Sequence, residues 1–230
     1  MARVISKLGL ASRTQAAEWV RAGRVQVNDR VVRDAEFPVR QGLDRIRIDG
    51  LSTAPAGRLV LMVNKPRGLV TTTNDEQGRD TVYKCFAGAA LPWVAPVGRL
   101  DKASEGLLLF TNDPAWAARI TDPKTGPSKT YHVQIDRLPD GDLLAKLEHG
   151  ALLDGERLKA KSARCLRAGH RNAWLEIVLA GGRNRQIRRM LEAFDVSVLR
   201  LVRVAIGPLS LGELPKGQWR ALTGREVDSL

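Results

Sequence analysis

One aspartate of the chain stands in a setting that suits chemistry. Asp101 lies in a polar turn flanked by Arg99 and Lys102, and an apolar run with the length of a buried strand follows at Leu107–Phe110. A carboxylate held beside cations can act as a nucleophile or as a general base. Aspartates in polar turns are structural in most proteins, because their side chains bond to the nearby backbone. The interpretation of this residue therefore depends on the rest of the chain.

An arginine-rich helix is the second feature of the sequence that could take part in binding or catalysis. Its apolar stripe has the spacing i, i+3, i+4, i+7 and comprises Ile187, Met190, Leu191 and Phe194. This spacing predicts a helix over residues 185–194 that packs against a core by one face. Arg185, Arg188 and Arg189 lie off that face. Their guanidinium groups are available to RNA phosphates or to a carboxylate.

The first fifty residues predict two short helices followed by three strands. The second helix begins at Ser12, and Gln15 has the spacing of a capping-box partner. Arg13, Arg21 and Arg24 fall together at helical spacing, on a face that points to solvent. On an isolated helix, such a row of arginines is most often only a solvated surface.

The run from Ser12 to Val32 resembles the S4 RNA-binding module, and the resemblance covers residues 2–49. We expect a hairpin turn at Asn28-Asp29 within it. The resemblance implies an RNA-docking surface formed by the second helix and this hairpin. Its implied contacts are Arg13, Arg21, Arg24 and Asn28. Contacts of this kind to phosphate position an RNA without specifying its sequence.

The segment from residue 50 to residue 57 is rich in small residues, contains a proline and has no periodicity, which is typical of a linker. We therefore expect an S4 domain at residues 1–50, a linker at 51–57 and a larger domain at 58–230. The larger domain mixes strands with short helices and has no regular alternation of the two. This pattern predicts the α+β class, with a mainly antiparallel mixed sheet and flanking helices, after a small N-terminal α+β domain.

The composition favours a polyanion as the binding partner. Lys and Arg number 37 against 25 Asp and Glu, so the formal charge is +12 and the pI is about 10.4. With 43% hydrophobic residues, the chain has the composition of a globular protein. Two cysteines are too few for a disulfide framework and fit a reducing compartment. No apolar run reaches membrane-spanning length. We expect a monomeric, cytoplasmic protein with no membrane partner.

The sequence offers no evident site for a cofactor or a metal. Gly181-Gly182 lacks the spacing of a dinucleotide fingerprint or of a P-loop. The histidines His132, His149 and His170 are dispersed and share no ligand spacing with cysteines or carboxylates. We therefore expect no cofactor and no metal. An S4-containing RNA methyltransferase is disfavoured, since it would need a glycine-rich nucleotide loop.

Four segments together resemble the motifs of the RsuA-type family of pseudouridine synthases, which modify ribosomal RNA. They are residues 64–68 (NKPRG), 97–113 around Asp101, 129–131 (KTY) and 182–190 (GRNRQIRRM). The resemblance covers essentially the whole chain and implies the pseudouridine synthase fold for a catalytic domain at 58–230. It implies that Asp101 is the essential aspartate, Tyr131 the aromatic residue against the target base and Arg188 the partner of the aspartate. Under this resemblance the remaining polar residues of the motifs contact RNA: Arg99, Lys129, Arg183, Asn184, Arg185, Gln186 and Arg189.

The implied reaction breaks the bond from ribose C1′ to uracil N1, rotates the base and joins C1′ to C5. Asp101 could attack C1′, attack the base, or remove a proton to form a glycal; the residues leave these routes open. A nearby guanidinium, Arg188, would oppose the rise in the pKa of Asp101 that burial causes. Tyr131 would contact the extruded uracil and help to remove the C5 proton.

The implied partner is ribosomal RNA or a ribosomal assembly intermediate, single-stranded or weakly paired at the target uridine. The segments 104–106 and 214–219 resemble the large-subunit enzymes slightly more than the small-subunit ones. We also expect a second basic surface near the cleft, comprising Arg183, Arg185, Arg189, Arg200 and Arg203. The alternative function is a non-catalytic RNA-binding or ribosome-assembly protein of the same fold.

Overall fold

The computed structural model describes residues 1–40, 42–53, 57–73 and 75–230. The helices are α1 Ala2–Lys7, α2 Arg13–Arg21, α3 Pro114–Thr121, α4 Gly141–His149, α5 Gln186–Glu192 and α6 Gly224–Asp228, with a 3₁₀ helix at Val82–Phe86. The strands are β1 Val25–Val27, β2 Arg30–Val32, β3 Ile46–Ile48, β4 Leu51–Ser52, β5 Val60–Lys65, β6 Ala95–Val97, β7 Glu105–Thr111, β8 Lys129–Ile135, β9 Ala151–Leu153, β10 Glu156–Leu158, β11 Ser162–Ala168, β12 Ala173–Leu179, β13 Val198–Ile206, β14 Leu209–Ser210 and β15 Trp219–Ala221. No helix among the described residues is long and apolar enough to cross a membrane.

The chain forms two compact units. The first comprises Met1–Val60, Gly88–Ala95 and Phe110–Ala115, and the second comprises Leu61–Ala87, Pro96–Leu109 and Trp116–Leu230. The linker predicted at residues 51–57 falls partly on residues 54–56, which lie outside the described residues. The predicted domain boundary therefore stays a prediction.

The N-terminal module of the first unit has the predicted order of two helices and a small antiparallel sheet. The Ser12 hydroxyl accepts a hydrogen bond from the backbone N–H of Gln15, which fixes the start of α2. β1 and β2 are joined by Asn28 and Asp29, whose φ angles of 49° and 64° give a left-handed two-residue turn. The core between helices and sheet includes Ile5, Ala16, Val20 and Val25, all fully buried. The predicted helices and hairpin are confirmed.

The N-terminal module contains a second β-hairpin that the sequence analysis did not predict. Asp49 and Gly50 have φ angles of 52° and 80°, and β4 returns from them antiparallel to β3. Asp-Gly is a preferred pair for such a two-residue turn, because both positions need positive φ. Leu51 and Ser52, predicted as the start of a linker, therefore belong to the four-stranded sheet with order β2-β1-β3-β4.

The second unit is built on a mixed sheet with strand order β11-β12-β8-β13-β7-β5-β15. The pairs β11–β12, β12–β8, β8–β13 and β5–β15 are antiparallel, and β13 runs parallel to β7. Along β8, Lys129, Tyr131, Val133 and Ile135 alternate with less buried residues, so they share the inward face. The predicted α+β class with a mainly antiparallel mixed sheet is confirmed.

Candidate active site

The loop that carries Asp101 is fixed from beneath by a buried lysine. The Nζ atom of Lys65 donates hydrogen bonds to the carbonyl oxygens of Ser104 at 2.8 Å, Pro66 at 3.1 Å and Asp101 at 3.2 Å. Lys65 is completely buried at the end of β5. These bonds hold the backbone on both sides of the Asp101 turn. The half-buried Asp101 side chain itself makes no hydrogen bond or ion pair with the described residues.

Burial lowers the pKa of Lys65 from 10.5 to about 8, although the nearby Cys85, Asp101 and Glu105 oppose the shift. The unfolded chain therefore binds more protons than the folded chain between pH 8 and 10.5, and stability should rise with pH in this window by on the order of 3 kcal/mol. We expect Lys65→Met to remove this rise, as measured by urea unfolding at a series of pH values. An unchanged slope in the variant would show that Lys65 titrates normally. Lys124→Met, at an exposed lysine, is the matched control.

A cavity of about 270 Å³ opens beside the Asp101 loop. Its walls include Asp101, Tyr131 and six more residues predicted from the sequence motifs: Arg99, Lys129, Arg183, Asn184, Arg185 and Gln186. Leu179, Ile187, Leu201 and Ile206 add apolar surface to the same walls. Residues from distant parts of the chain thus meet at one opening, which contains both a carboxylate and a phenol. A cavity with this mixture of polar and apolar lining can accept a planar polar group.

Arg188 interacts with Asp101 through space and not by direct contact. Its guanidinium donates hydrogen bonds to the carbonyls of Val198 at 3.3 Å and Ala103 at 3.4 Å, and its Nε atom is buried without a partner. Among the described residues, no Arg188 nitrogen lies within 4.0 Å of an Asp101 carboxylate oxygen. Burial lowers the pKa of Arg188, as does the charge of Arg185, whereas the Asp101 charge raises it. The role of Arg188 as partner of the aspartate stays a prediction.

Tyr131 lies on the cavity wall and is 8% exposed. In the β8–β13 ladder its register partner is Arg203, and the partner of Lys129 is Ile206. Lys129 is also 8% exposed and donates one hydrogen bond, to the carbonyl of Ile120 at 3.3 Å. Lys129 was predicted to contact RNA; it lines the cavity, and this contact stays a prediction.

The arginine motif begins in an unusual backbone conformation. Arg185, which precedes α5, has a φ of 49°, and its side chain is exposed at the cavity. Gln186 is buried; its side-chain amide donates to the Lys159 carbonyl, and its Oε1 accepts from the backbone N–H of Arg183. Asn184 is exposed next to them. Gln186 therefore shapes this turn, while Asn184 and Arg185 remain accessible.

In the second unit, two of the predicted RNA-binding arginines are paired within the chain. Arg189 forms ion pairs with Asp154 at 2.8 Å and Glu156 at 3.9 Å, and Arg183 forms an ion pair with Glu156. Both acids belong to the β9–β10 hairpin, which the sequence analysis did not identify. Contact of these arginines with RNA stays a prediction, and it would have to compete with these pairs.

The predicted second basic surface is wrong at two positions. Arg203 is buried, because it lies on the inward face of β13, and its Nε donates to the Leu107 carbonyl at 2.7 Å. Arg200 lies on the opposite face, since the two residues are an odd number of positions apart in a regular stretch of ladder. There it pairs with Glu105 at 3.1 Å and lies over the Trp174 ring at 5.4 Å.

In the N-terminal module, Arg13 and Arg21 are exposed and have no ion-pair partner in the described chain. Arg24 pairs with Asp49 and lies 5.3 Å from the centre of the Trp19 ring. The Asn28 side chain is bonded to Asp44 and to the backbone of Arg45. Arg13 and Arg21 are therefore the predicted contacts whose charge is uncompensated.

The sequence analysis gave Lys65 no role of its own and did not predict that Arg203 is buried. For Lys65, the available signal was its place at the end of a strand that begins with the apolar run Val60–Val63. For Arg203, the signal was its place two residues after Leu201 in the mostly apolar run 198–206, which puts both on one face of a strand. Both signals mark cations that the fold buries.

Comparison with known proteins agrees with this site. The family model for RNA pseudouridylate synthase matches residues 59–193, and the S4 domain model matches residues 2–44. "Ribosomal large subunit pseudouridine synthase B" of Bacillus subtilis is 35% identical, over 99% of this chain and 93% of its own length. The protein of the same name from Pseudomonas aeruginosa is 34% identical, over 99% of this chain and 60% of its own length.

Among solved structures, one described as a pseudouridylate synthase superposes with a TM-score of 0.69 at 30% identity, covering 99% of this chain and 97% of the other. The resemblances found from the motifs, to the S4 module and to the pseudouridine synthases, are thereby confirmed. The chain belongs to the RNA pseudouridylate synthase family.

Proposed function

We propose that this protein isomerises one specific uridine of large-subunit ribosomal RNA to pseudouridine. The observation that carries the proposal is the cavity that holds Asp101 and Tyr131 together, in a chain of this family. The large-subunit target is supported by the names of two relatives that align over 99% of this chain. The isomerisation needs no net redox change and no group from outside, since the base is returned to the same ribose.

In the proposed reaction, the target uridine leaves its RNA stack and enters the cavity. Asp101, whose carboxylate is not engaged by other described side chains, acts on this nucleoside. It attacks ribose C1′, attacks the base, or removes a ribose proton to give a glycal. In each case the C1′–N1 bond breaks, the C1′–C5 bond forms, and the proton on C5 is exchanged for one on N1. Tyr131 lies against the base throughout, and Arg188 lies close enough to Asp101 for their opposite charges to interact through space.

We assign RNA binding and catalysis to different domains of the chain. We assign RNA docking to residues 1–50 and catalysis to residues 58–230. The net charge of +12 favours the approach of RNA to the protein. Arg99, Asn184 and Arg185, which are exposed around the opening, would hold the phosphates of the extruded nucleotide.

The test of the function uses large-subunit and small-subunit ribosomal RNA from cells that lack the protein. After incubation with the protein, uridines are mapped with a pseudouridine-selective chemical adduct. We expect one new adduct, in large-subunit RNA only. A new site in small-subunit RNA would overturn the large-subunit assignment. Tight binding without any new adduct, on naked RNA and on assembly intermediates, would support the non-catalytic alternative instead.

The docking role of the N-terminal module predicts a salt-dependent loss of affinity. We expect the double variant Arg13→Gln/Arg21→Gln to bind RNA at least tenfold more weakly, because two phosphate contacts are lost. The slope of log affinity against log salt should fall by about 1.5. Filter binding at several salt concentrations measures both, and Arg225→Gln, at an exposed arginine of α6, is the control. A variant with the slope of the wild type would contradict this role.

A further inference from the structure

The wall of the cavity contains two buried cations that form no ion pair with a carboxylate of the described residues. Arg203 is 5% exposed; only its Nε has a hydrogen-bond acceptor in the described chain, and its Nη2 is enclosed without one. Lys129 is 8% exposed and has a single carbonyl partner. Neither forms an ion pair with any described residue. The cavity therefore carries unpaired positive charge on its inner wall.

The two cations are close enough to interact. Burial lowers the pKa of Lys129, and the positive charge of Arg203 lowers it further. Burying like charges beside one another without an anion is unfavourable, and so is leaving a buried donor without an acceptor. Asp101 lines the same cavity but forms no ion pair with either cation, so a negative group in direct contact with them would relieve both costs. The arrangement thus favours an anionic group at this wall.

The register of the sheet identifies which part of the nucleotide meets these cations. Arg203 is the cross-strand partner of Tyr131, and directly opposed residues have Cβ atoms about 5 Å apart on one face. A base that lies against Tyr131 therefore lies within reach of the Arg203 guanidinium. The RNA phosphates are better served by Arg99 and Arg185, which are exposed, than by a residue that is 5% exposed.

On the proposed function, we propose that Arg203 and Lys129 form an anion hole for the uracil base. When the C1′–N1 bond breaks, its electron pair stays on the base, and the charge spreads from N1 to the O2 and O4 oxygens. The two cations stabilise these oxygens while the base rotates. The electron pair of the base then forms the new bond from C5 to C1′, and the proton from C5 moves to N1. Donors already in place where charge develops act on the transition state and not on binding.

The experiment compares Lys129→Met and Arg203→Met with the wild type in single-turnover reactions at saturating RNA. We expect each variant to react at least 100-fold more slowly, while the dissociation constant for RNA changes less than twofold. Arg203→Lys should recover part of the rate, since it keeps the charge. Lys124→Met is the control at an exposed lysine. Lys129→Met keeps the proposal testable if loss of the Leu107 contact prevents Arg203→Met from folding.

A second substrate separates charge stabilisation from a merely structural role. RNA with 5-fluorouridine at the target carries a base that accepts negative charge more readily. The loss of the N1-linked nucleoside is followed by digestion of the RNA, chromatographic separation of the isomeric nucleosides and mass spectrometry. Its rate should be slowed at least tenfold less by Lys129→Met than the rate in unmodified RNA. Equal losses on both RNAs would overturn the proposal, and so would weaker RNA binding with an unchanged rate. A wild type that modifies no RNA would overturn the proposed function itself, so the two failures are distinguishable.

Discussion

Asp101→Asn is expected to reduce pseudouridine formation by at least about 1000-fold and to leave RNA binding unchanged. Asparagine has the shape of aspartate but cannot act as a nucleophile or accept a proton at neutral pH. Every route open to this site uses the carboxylate, so none survives the change. The fold should not respond, because the Asp101 side chain has no partner among the described residues and its loop is held through main-chain carbonyls.

The rate is measured in single turnover by release of tritium from RNA labelled at uracil C5. Affinity is measured on the same RNA, and the melting temperature should stay within about 2 °C of the wild type. Asp142→Asn, at an exposed aspartate of α4, controls for the change of charge. A retained rate within tenfold of the wild type would remove Asp101 from the reaction and favour the non-catalytic alternative.

Much of the second unit could be predicted from periodicity. In the sequence, Tyr131, Val133 and Ile135 alternate with polar residues, which is typical of a half-buried strand. Lys129–Ile135 indeed forms β8, with alternating buried and half-buried residues. The arginine-rich helix was predicted over 185–194 and spans Gln186–Glu192. Its stripe of apolar residues determined the face that is buried. Such elements carry their signal locally, so one sequence suffices to find them.

Other parts of the fold carry no local signal. β11 lies at the edge of the sheet and is mostly exposed, so Ser162–Ala168 has no alternation to detect. It pairs with β12 through a bulge between Cys165 and Arg167, which also breaks the period. The β9–β10 hairpin is similarly short and half-exposed. Its acids nevertheless pair with Arg183 and Arg189, a relation between distant residues that spacing alone cannot reveal.

The candidate site was found because its residues lie in motifs, but the contacts between them depend on the tertiary structure. The sequence indicated Asp101, Tyr131 and Arg188, and the cavity contains the first two. It could not indicate that Arg188 bonds to two carbonyls, nor that a lysine 36 positions before Asp101 holds the loop. The burial of Arg203 likewise follows from the pairing of β13 with β8, which is set by long-range contacts.

Gly106→Ala is expected to destabilise the protein by at least about 3 kcal/mol, because two backbones meet at this glycine. A Cβ atom on Gly106 would lie 2.2 Å from the carbonyl oxygen of Arg203 and 2.8 Å from its nitrogen. These atoms belong to β13, which pairs in parallel with β7 at this point, so no side-chain rotation can relieve the clash. Gly106 also has a φ of 100°, which disfavours any side chain.

The variant Gly68→Ala is the control that separates the free-energy cost of the steric clash from the cost of a side chain at positive φ. Gly68 has the same φ of 100°, but a Cβ atom there would meet nothing within 4 Å. We expect Gly68→Ala to cost about 1 to 2 kcal/mol and Gly106→Ala at least twice as much, measured by urea unfolding. If the Gly106→Ala variant folds, we also expect it to form pseudouridine more slowly than the wild type. The clash displaces Arg203, which is the cross-strand partner of Tyr131 in the cavity wall. Equal costs at the two glycines would mean that β7 and β13 yield easily, and the close approach of these strands would then not be what positions the inner wall of the site.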